Sequence, residues 1–164
     1  MPNYSRECDE ARVRQTVLAY SVNIDLCNFN ALETLFTDPF VVDYTSLWGG
    51  TPQTLTPAEF MRQMQGIAPG FDATWHELIG IEVQVNGLSA TASCGVDGRH
   101  WIDDRIWHPI GRYEFSLSKN AGKWKITAVV LKMVEELGTR AVAEEAMRRM
   151  GNAAEGGWIG PGSN

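Results

Sequence analysis

Between Cys8 and Asn28 apolar side chains return at steps of four and three, at Val13, Val17, Tyr20, Ile24 and Cys27, while Asp9, Glu10, Arg12 and Arg14 crowd the opening turns. That period is helical and predicts an amphipathic first helix. "NFNALETLF" predicts a short second helix, capped by Asn28 or Asn30 and stopped at "TDP", because the residue before a proline is pushed out of the helical region. "FVVDYTSL" is β-branched and aromatic, ends at "WGG", and reads as a first strand. In "TPAEFMRQMQGIAPG" Thr56 stands as N-cap, Pro57 at the first helical position and Glu59 in the first turn. These positions predict a third helix that closes at Gly66 or Pro69.

Four strand-like runs follow, at about 74–86, 88–102, 106–118 and 123–135, with turn signals at Asn86-Gly87 and at Asn120-Ala121-Gly122. Their close succession predicts an antiparallel meander. Helices first and long strands after them give an α+β architecture. "TRAVAEEAMRRM" predicts a terminal helix, so one domain spans residues 1–150; the glycine-rich 151–164 is expected to be a mobile tail. There is no internal repeat and no linker.

At 164 residues the chain is long enough to bury a sizeable core and keep an apolar cavity besides. Its formal charge of −6, with Lys and Arg scattered, argues against nucleic acid, whose phosphates need a basic stripe. Cys8, Cys27 and Cys94 are odd in number and form no CxxC pair, so neither a zinc knuckle nor a disulfide framework is suggested and a reducing cytoplasm fits best. The N-terminus is polar where a signal peptide needs an apolar core, and no run is long enough to span a membrane.

Candidate chemistry collects at a few positions. Asp25 has Leu18, Ser21, Val22 and Phe29 as its helical neighbours, a largely apolar sector in which a carboxylate needs a partner. His76, in "DATWHELIG", is the obvious one: an Asp–His pair fixes the imidazole tautomer and leaves the second nitrogen free to take a proton. By residue type alone His76 could equally be a structural donor or a metal ligand. Simple alternation puts it, with Leu78 and Gly80, opposite the more apolar face of Ile79, Ile81, Val83 and Val85, unless a bulge near Gly80 reverses the parity. His100 shares parity with Leu88, Ala90, Ala92, Cys94, Val96 and Ile102, a face suited to a cavity wall. Tyr44 offers a phenol that could donate to a developing enolate. His76, His100, His108, Asp25 and Asp103-Asp104 could supply metal ligands, but no HxH or HExxH spacing is present, and no metal is expected. The tryptophans and the methionines of "FMRQM" are expected in the core or cavity, with Trp48 and Trp107 stacking on a cyclic substrate. Cys94 reads as packing.

Asp25, Tyr44, His76 and His100, with the paired last strands in "GRYEFSLSKNAGKWKI", carry a resemblance to the SnoaL-like branch of the NTF2-like superfamily, and within it to the scytalone dehydratases and hexachlorocyclohexane dehydrochlorinases. The resemblance covers about residues 8–135. It implies a cone: a curved sheet wrapped around a pocket and closed by three N-terminal helices. It also implies a cofactor-independent lyase or isomerase acting on a small apolar cyclic compound, such as a polyketide, terpenoid or aromatic metabolite. Asp25, His76, His100 and Tyr44 would be catalytic, with Tyr20, Trp48, Trp107 and Arg112 as substrate contacts. A homodimer or homotrimer through the convex sheet face is a further implication. Where the dehydratases carry a tyrosine before the helix aspartate this chain has Ile24, and their later serine and asparagine are not reproduced near Ile110 to Tyr113. The alternatives are a non-catalytic ligand-binding or assembly subunit, similar to the β subunit of ring-hydroxylating dioxygenases, and a SnoaL-like cyclase.

Overall fold

The computed structural model describes residues 4–151. Helix α1 (Tyr4–Asp25) begins four residues before the expected start and ends at Asp25 rather than Asn28. Val13, Val17, Tyr20 and Ile24 turn inward as their spacing requires, whereas Cys27 lies past the helix in a left-handed turn, with φ 50°. Asp9 secures the first turns: one oxygen accepts from Lys119 Nζ and from Trp124 Nε1, each at 2.9 Å. Asn28 caps α2 (Phe29–Glu33) through its side chain.

Strand β1 runs Phe36–Asp43, earlier than expected, and Tyr44 falls outside it. Asp43 Oδ1 accepts from both the backbone N–H and the hydroxyl of Thr45, at 3.1 and 2.6 Å, which breaks the strand and opens a single helical turn, α3 (Thr45–Trp48). Pro39 is tolerated within β1 because the pairing register shifts between Phe36 and Val41. The short strand β2 (Gln53–Leu55) carries no pattern by which three residues could be recognised. Helix α4 (Pro57–Gln65) has the expected N-terminus, with a reciprocal capping box between Thr56 and Glu59.

The meander follows as β3 (Ala73–Asn86), β4 (Ser89–Ile102), β5 (Arg105–Asn120) and β6 (Lys123–Gly138), each within three residues of its expected ends. The six strands form one sheet in the order β2-β1-β6-β5-β4-β3, antiparallel except where β1 runs parallel to β6. Helix α5 (Ala141–Arg149) closes the described chain. The expected tail lies outside the described residues apart from Gly151. Among the described residues no helix is long and apolar enough to cross a membrane, and the three cysteines are free thiols.

One face of the sheet is apolar, and α1 and α4 cover it. Phe36 and Phe40 stack at 4.2 Å, and both meet the edge of Phe60 from α4 at 5.4 Å. Tyr20 meets Phe36 and Phe115 edge-on at 6.0 and 5.4 Å, joining α1 to the sheet. Trp48, Trp107 and Trp124 belong to this interior or pack against it. Trp75 does not: its parity places it on the outer face, 58% exposed. Trp101 shares that outer parity, and Trp158 lies outside the described residues.

Helix α5 packs on a short 3-10 turn, Ala68–Gly70, whose other side borders the interior. The approach is close. A Cβ on Gly70 would lie 2.1 Å from the carbonyl oxygen of Ala146, with no flexible side chain to yield. Gly70→Ala should therefore destabilise the fold by about 1–3 kcal/mol, the usual cost of forcing a methyl into a packed seam. A urea midpoint within error of the parent's would show that α5 does not hold this position.

Candidate active site

The parity of β3 decides where His76 goes. Ile79 pairs with Gly95 and Glu82 with Ser93, so Gly80 and Ile81 together oppose the single residue Cys94. This is a β-bulge, and Gly80 occupies it with φ +64°, where a side chain would be strained. Below the bulge Thr74, His76 and Leu78 face inward; above it Ile81, Val83 and Val85 do. Ile79 is turned outward and 54% exposed. The anticipated bulge therefore reverses the alternation, and His76 and the apolar end of the strand share one face.

Asp25, the last residue of α1, lies against this strand. One carboxylate oxygen accepts from His76 Nδ1 at 2.6 Å and from Thr74 Oγ1 at 2.8 Å, and the other from the backbone N–H of His76 at 2.8 Å. Burial pushes the Asp25 carboxyl up, but the hydrogen bonds from His76 and Thr74 outweigh it and hold it below the ordinary carboxylate value. A carboxylate can only accept, so Nδ1 carries the proton and Nε2 of a neutral His76 is a bare lone pair.

His100 reaches the same space from β4, opposite Thr74 and diagonal to His76. The two imidazoles meet edge to face at 4.9 Å. His100 is buried, flanked by Phe71 at 4.8 Å and Trp107 at 4.6 Å. Its Nδ1 lies 3.2 Å from the carbonyl oxygen of Trp107, which can only accept, so here too Nε2 is bare. Desolvation, with the neighbouring His76 adding to it, holds His100 neutral well below the ordinary histidine range. Gly98 lies between the pair: a Cβ there would meet His76 Cδ2 at 3.2 Å and His100 Cε1 at 3.4 Å, so glycine leaves room for both rings. Of the earlier expected run, Leu88 does not share this face; it is in the β3–β4 turn and exposed.

The same cavity also receives a set of phenols. The Tyr44 hydroxyl, delivered by the Asp43–Thr45 turn, is hydrogen-bonded to the hydroxyl of Tyr20 and, at 3.2 Å, to that of Tyr113. Burial raises all three well above the ordinary phenol value, so they stay protonated. The cavity between these groups has about 80 Å³ of open interior, in a bowl of about 700 Å³ when its mouth is counted. Tyr44, Trp48, His76, His100, Trp107 and Tyr113 are among its walls, whereas Tyr20 and Asp25 stand behind them. No Lys, Arg, Asp or Glu is among the lining residues. Behind two of the wall residues, Trp107 Nε1 donates to Glu136 at 2.6 Å; Arg140 pairs with the same carboxylate at 2.8 Å and lies 5.3 Å over the Trp48 ring.

Seven of the eight expected site residues thus meet around one space, five as wall and Asp25 and Tyr20 as support. Tyr20 is fully buried behind Tyr44 and does not line the cavity, which corrects its expected role as a substrate contact. Arg112 is on the outer face of β5, where Gly111, Tyr113, Phe115 and Leu117 alternate inward, and it cannot reach the cavity. Tyr113 was missed; its signal was the strict alternation of "GRYEFSL". Among the described residues no group of three or more His, Cys, Asp or Glu is placed to hold a metal ion. His108 lies on the outer face, bonded to Asp97 at 2.8 Å. Cys94 is fully buried, its thiol pushed up to about 11 by desolvation.

A curved six-stranded sheet around an apolar cavity with an Asp–His pair in its wall defines an α+β cone of the NTF2-like type. The chain belongs to the SnoaL-like domain family, whose sequence model matches residues 5–130. Solved structures agree in fold. The Kfla4162 protein of Kribbella flavida superposes with a TM-score of 0.75 at 24% identity, over 80% of this chain and 94% of its own. A candidate scytalone dehydratase of Novosphingobium aromaticivorans gives 0.72 at 19%, over 81% and 89%. A hexachlorocyclohexane dehydrochlorinase of Novosphingobium barchaimii gives 0.70 at 11%, over 84% and 94%. No curated protein matches the chain.

His100 and Asp25 both make the fold less stable as pH falls, in different pH ranges. Folded His100 stays neutral well below 6.5, whereas the unfolded chain takes up a proton there, so the unfolded state binds more protons and stability falls as pH drops through about 6.5. Asp25, held below 3.8, contributes stability above that value and loses it as pH falls further. Urea unfolding between pH 7 and 5 should show a downward slope for the parent that is shallower in His100→Leu; equal slopes would place His100 in a hydrated setting.

Proposed function

We propose that this protein is a cofactor-independent lyase or isomerase acting on a small, uncharged cyclic compound of polyketide, terpenoid or aromatic type. The observation that carries the reading is the 2.6 Å contact of Asp25 with His76 Nδ1, which leaves Nε2 bare beside an apolar cavity. With no Lys, Arg, Asp or Glu among the lining residues, a permanent charge on the substrate away from the phenols would be unpaired and strongly disfavoured, which supports an uncharged substrate. The fold likeness to a candidate dehydratase and to a dehydrochlorinase, both named for eliminations, supports the same class of chemistry.

In the dehydration version, His76 Nε2 takes a proton from the carbon next to a carbonyl, and Asp25 stabilises the imidazolium that results. Negative charge gathers on the carbonyl oxygen, which accepts from the phenols. The imidazolium then returns its proton to the hydroxyl on the adjacent carbon. A C–H and a C–O bond break, a C=C bond forms and water leaves. His100 presents an acceptor, so its role is to receive the O–H of the departing hydroxyl or of a water and orient it, rather than to donate to the enolate. Isomerisation uses the same base and the same phenols, with the proton returned to another carbon.

A screen of cyclic β-hydroxy ketones, followed by the absorbance of the conjugated product, tests the proposal. The parent should turn over at least one compound, and His76→Ala should lower kcat by about 10²–10⁴-fold, the range for a positioned general base. Binding of these ketones without turnover, or turnover indifferent to His76→Ala, would favour a ligand-binding role instead.

A further inference from the structure

The three phenols contain more information than their proximity. They form a cluster centred on Tyr44, whose hydroxyl is bonded to each of the other two, while the Tyr113 hydroxyl also acts on Tyr20. Tyr20 is fully buried behind the cavity wall, with Tyr44 as its direct hydrogen-bond partner and Tyr113 beside it. A buried hydroxyl proton without an acceptor is disfavoured, so Tyr20 donates into the pair, principally to Tyr44. Of the three hydroxyl protons, one is then left over. It resides on Tyr44 or on Tyr113, according to which donates to the other, and both residues line the cavity.

The rest of the wall makes that proton important. His100, held neutral by burial, presents a bare nitrogen, His76 directs its Nε2 to the cavity with Nδ1 bound to Asp25, and the Thr74 hydroxyl is committed to Asp25. The phenol pair is therefore the donor side of the cavity and the histidines its acceptor side. The bond between Tyr44 and Tyr113, at 3.2 Å, is the longer of the two that Tyr44 makes and adjoins the cavity. With Tyr20 already supplying a proton to its oxygen, Tyr44 can turn its own O–H away from Tyr113 and toward an anionic oxygen without leaving that oxygen unsatisfied. Two donors then converge where the resting site offers one. Because each hydroxyl that accepts a bond becomes a better donor, the effect of Tyr20 is transmitted through Tyr44.

We propose that Tyr113, together with Tyr44, receives the substrate oxygen on which negative charge develops, and that Tyr20 is a positioning residue acting through Tyr44. This rests on the elimination or isomerisation reading for what the oxygen does, but the donor pair itself can be tested without turnover. It also accounts for a departure noted in the sequence: Ile24 stands where the dehydratases place a second tyrosine, and Tyr113 supplies a second phenol from β5.

The probe is 4-nitrophenol, whose phenolate and phenol differ in visible absorbance, titrated from pH 5 to 8 in the presence of excess protein. The parent should bind the phenolate in preference, so that the bound probe ionises at lower pH than the free one. Tyr113→Phe should reduce phenolate affinity by about tenfold and Tyr20→Phe by about threefold, the scale of one lost charge-assisted hydrogen bond and of a weakened one. Combined with Tyr44→Phe, Tyr20→Phe should cost nothing further, as expected of a residue that acts through another. Each variant keeps its ring, and its urea midpoint shows that it is folded. The tenfold effect should persist in a His76→Gln background, so a failed activity screen alongside an intact phenolate preference would sink the proposed reaction and leave the donor pair standing. The proposal is overturned by a parent that does not prefer the phenolate, by indifference to Tyr113→Phe, or by a Tyr20→Phe effect that adds fully to that of Tyr44→Phe.

Discussion

The edge of strand β3 is the constraint around which the site is built. With β4 as its sheet neighbour on one side, β3 leaves backbone groups open on the other, and an open edge must be covered or it will pair with something else. Helix α1 covers it with side chains. Arg14 donates to the carbonyl of Ile81 at 2.7 Å beside the bulge, and Asp25 accepts the N–H of His76 at 2.8 Å. The carboxylate that caps the edge is also the one that orients the imidazole. Docking the helix and assembling the Asp–His pair are a single event, so the pair is present before any ligand arrives.

The same docking fixes the polarity of the cavity. Asp25 accepts a hydrogen bond from Nδ1–H of His76, the Trp107 carbonyl accepts one from Nδ1–H of His100, and burial keeps the second ring neutral. Both histidines thereby direct Nε2 into the site. The Asp43–Thr45 turn delivers Tyr44 and the inward parity of β5 delivers Tyr113, so donors and acceptors line one apolar cavity. In such surroundings electrostatic interactions are screened less than in water, which makes these groups chemically effective. Gly98 and Gly80 serve the arrangement by what they lack: the first leaves space for two rings, and the second allows the bulge that turns His76 inward.

The long strands and α1, α4 and α5 were legible because their hydrophobic periods are sustained over many residues and their ends carry turn or capping residues. Asp25, His76, His100 and Tyr44 were legible mainly through resemblance, since local patterns left His76 open to three readings. Two misreadings have a common cause. Tyr20 was placed against substrate and Arg112 in the pocket because the resemblance suggested contact, whereas one lies a layer too deep and the other on the outer face. Tyr44 was assigned to a strand because its neighbours are β-branched and aromatic; a short-range hydrogen bond from Thr45 to Asp43 overrode that propensity.

The sequence by itself determined which long elements form and in what order, because helical and strand periods and capping residues act over distances of a few residues. It also determined the chemical inventory: two histidines and a helix-end aspartate against a set of tyrosines, with no cationic residue on the inward parities of the cavity strands. Tertiary structure decided which of these meet. The bulge opposite Cys94, the approach of α1 to the β3 edge and the stacking of Tyr20 behind Tyr44 each join residues well separated along the chain. Their contacts form only when the sheet curves around its interior, and that curvature is a property of the packed whole.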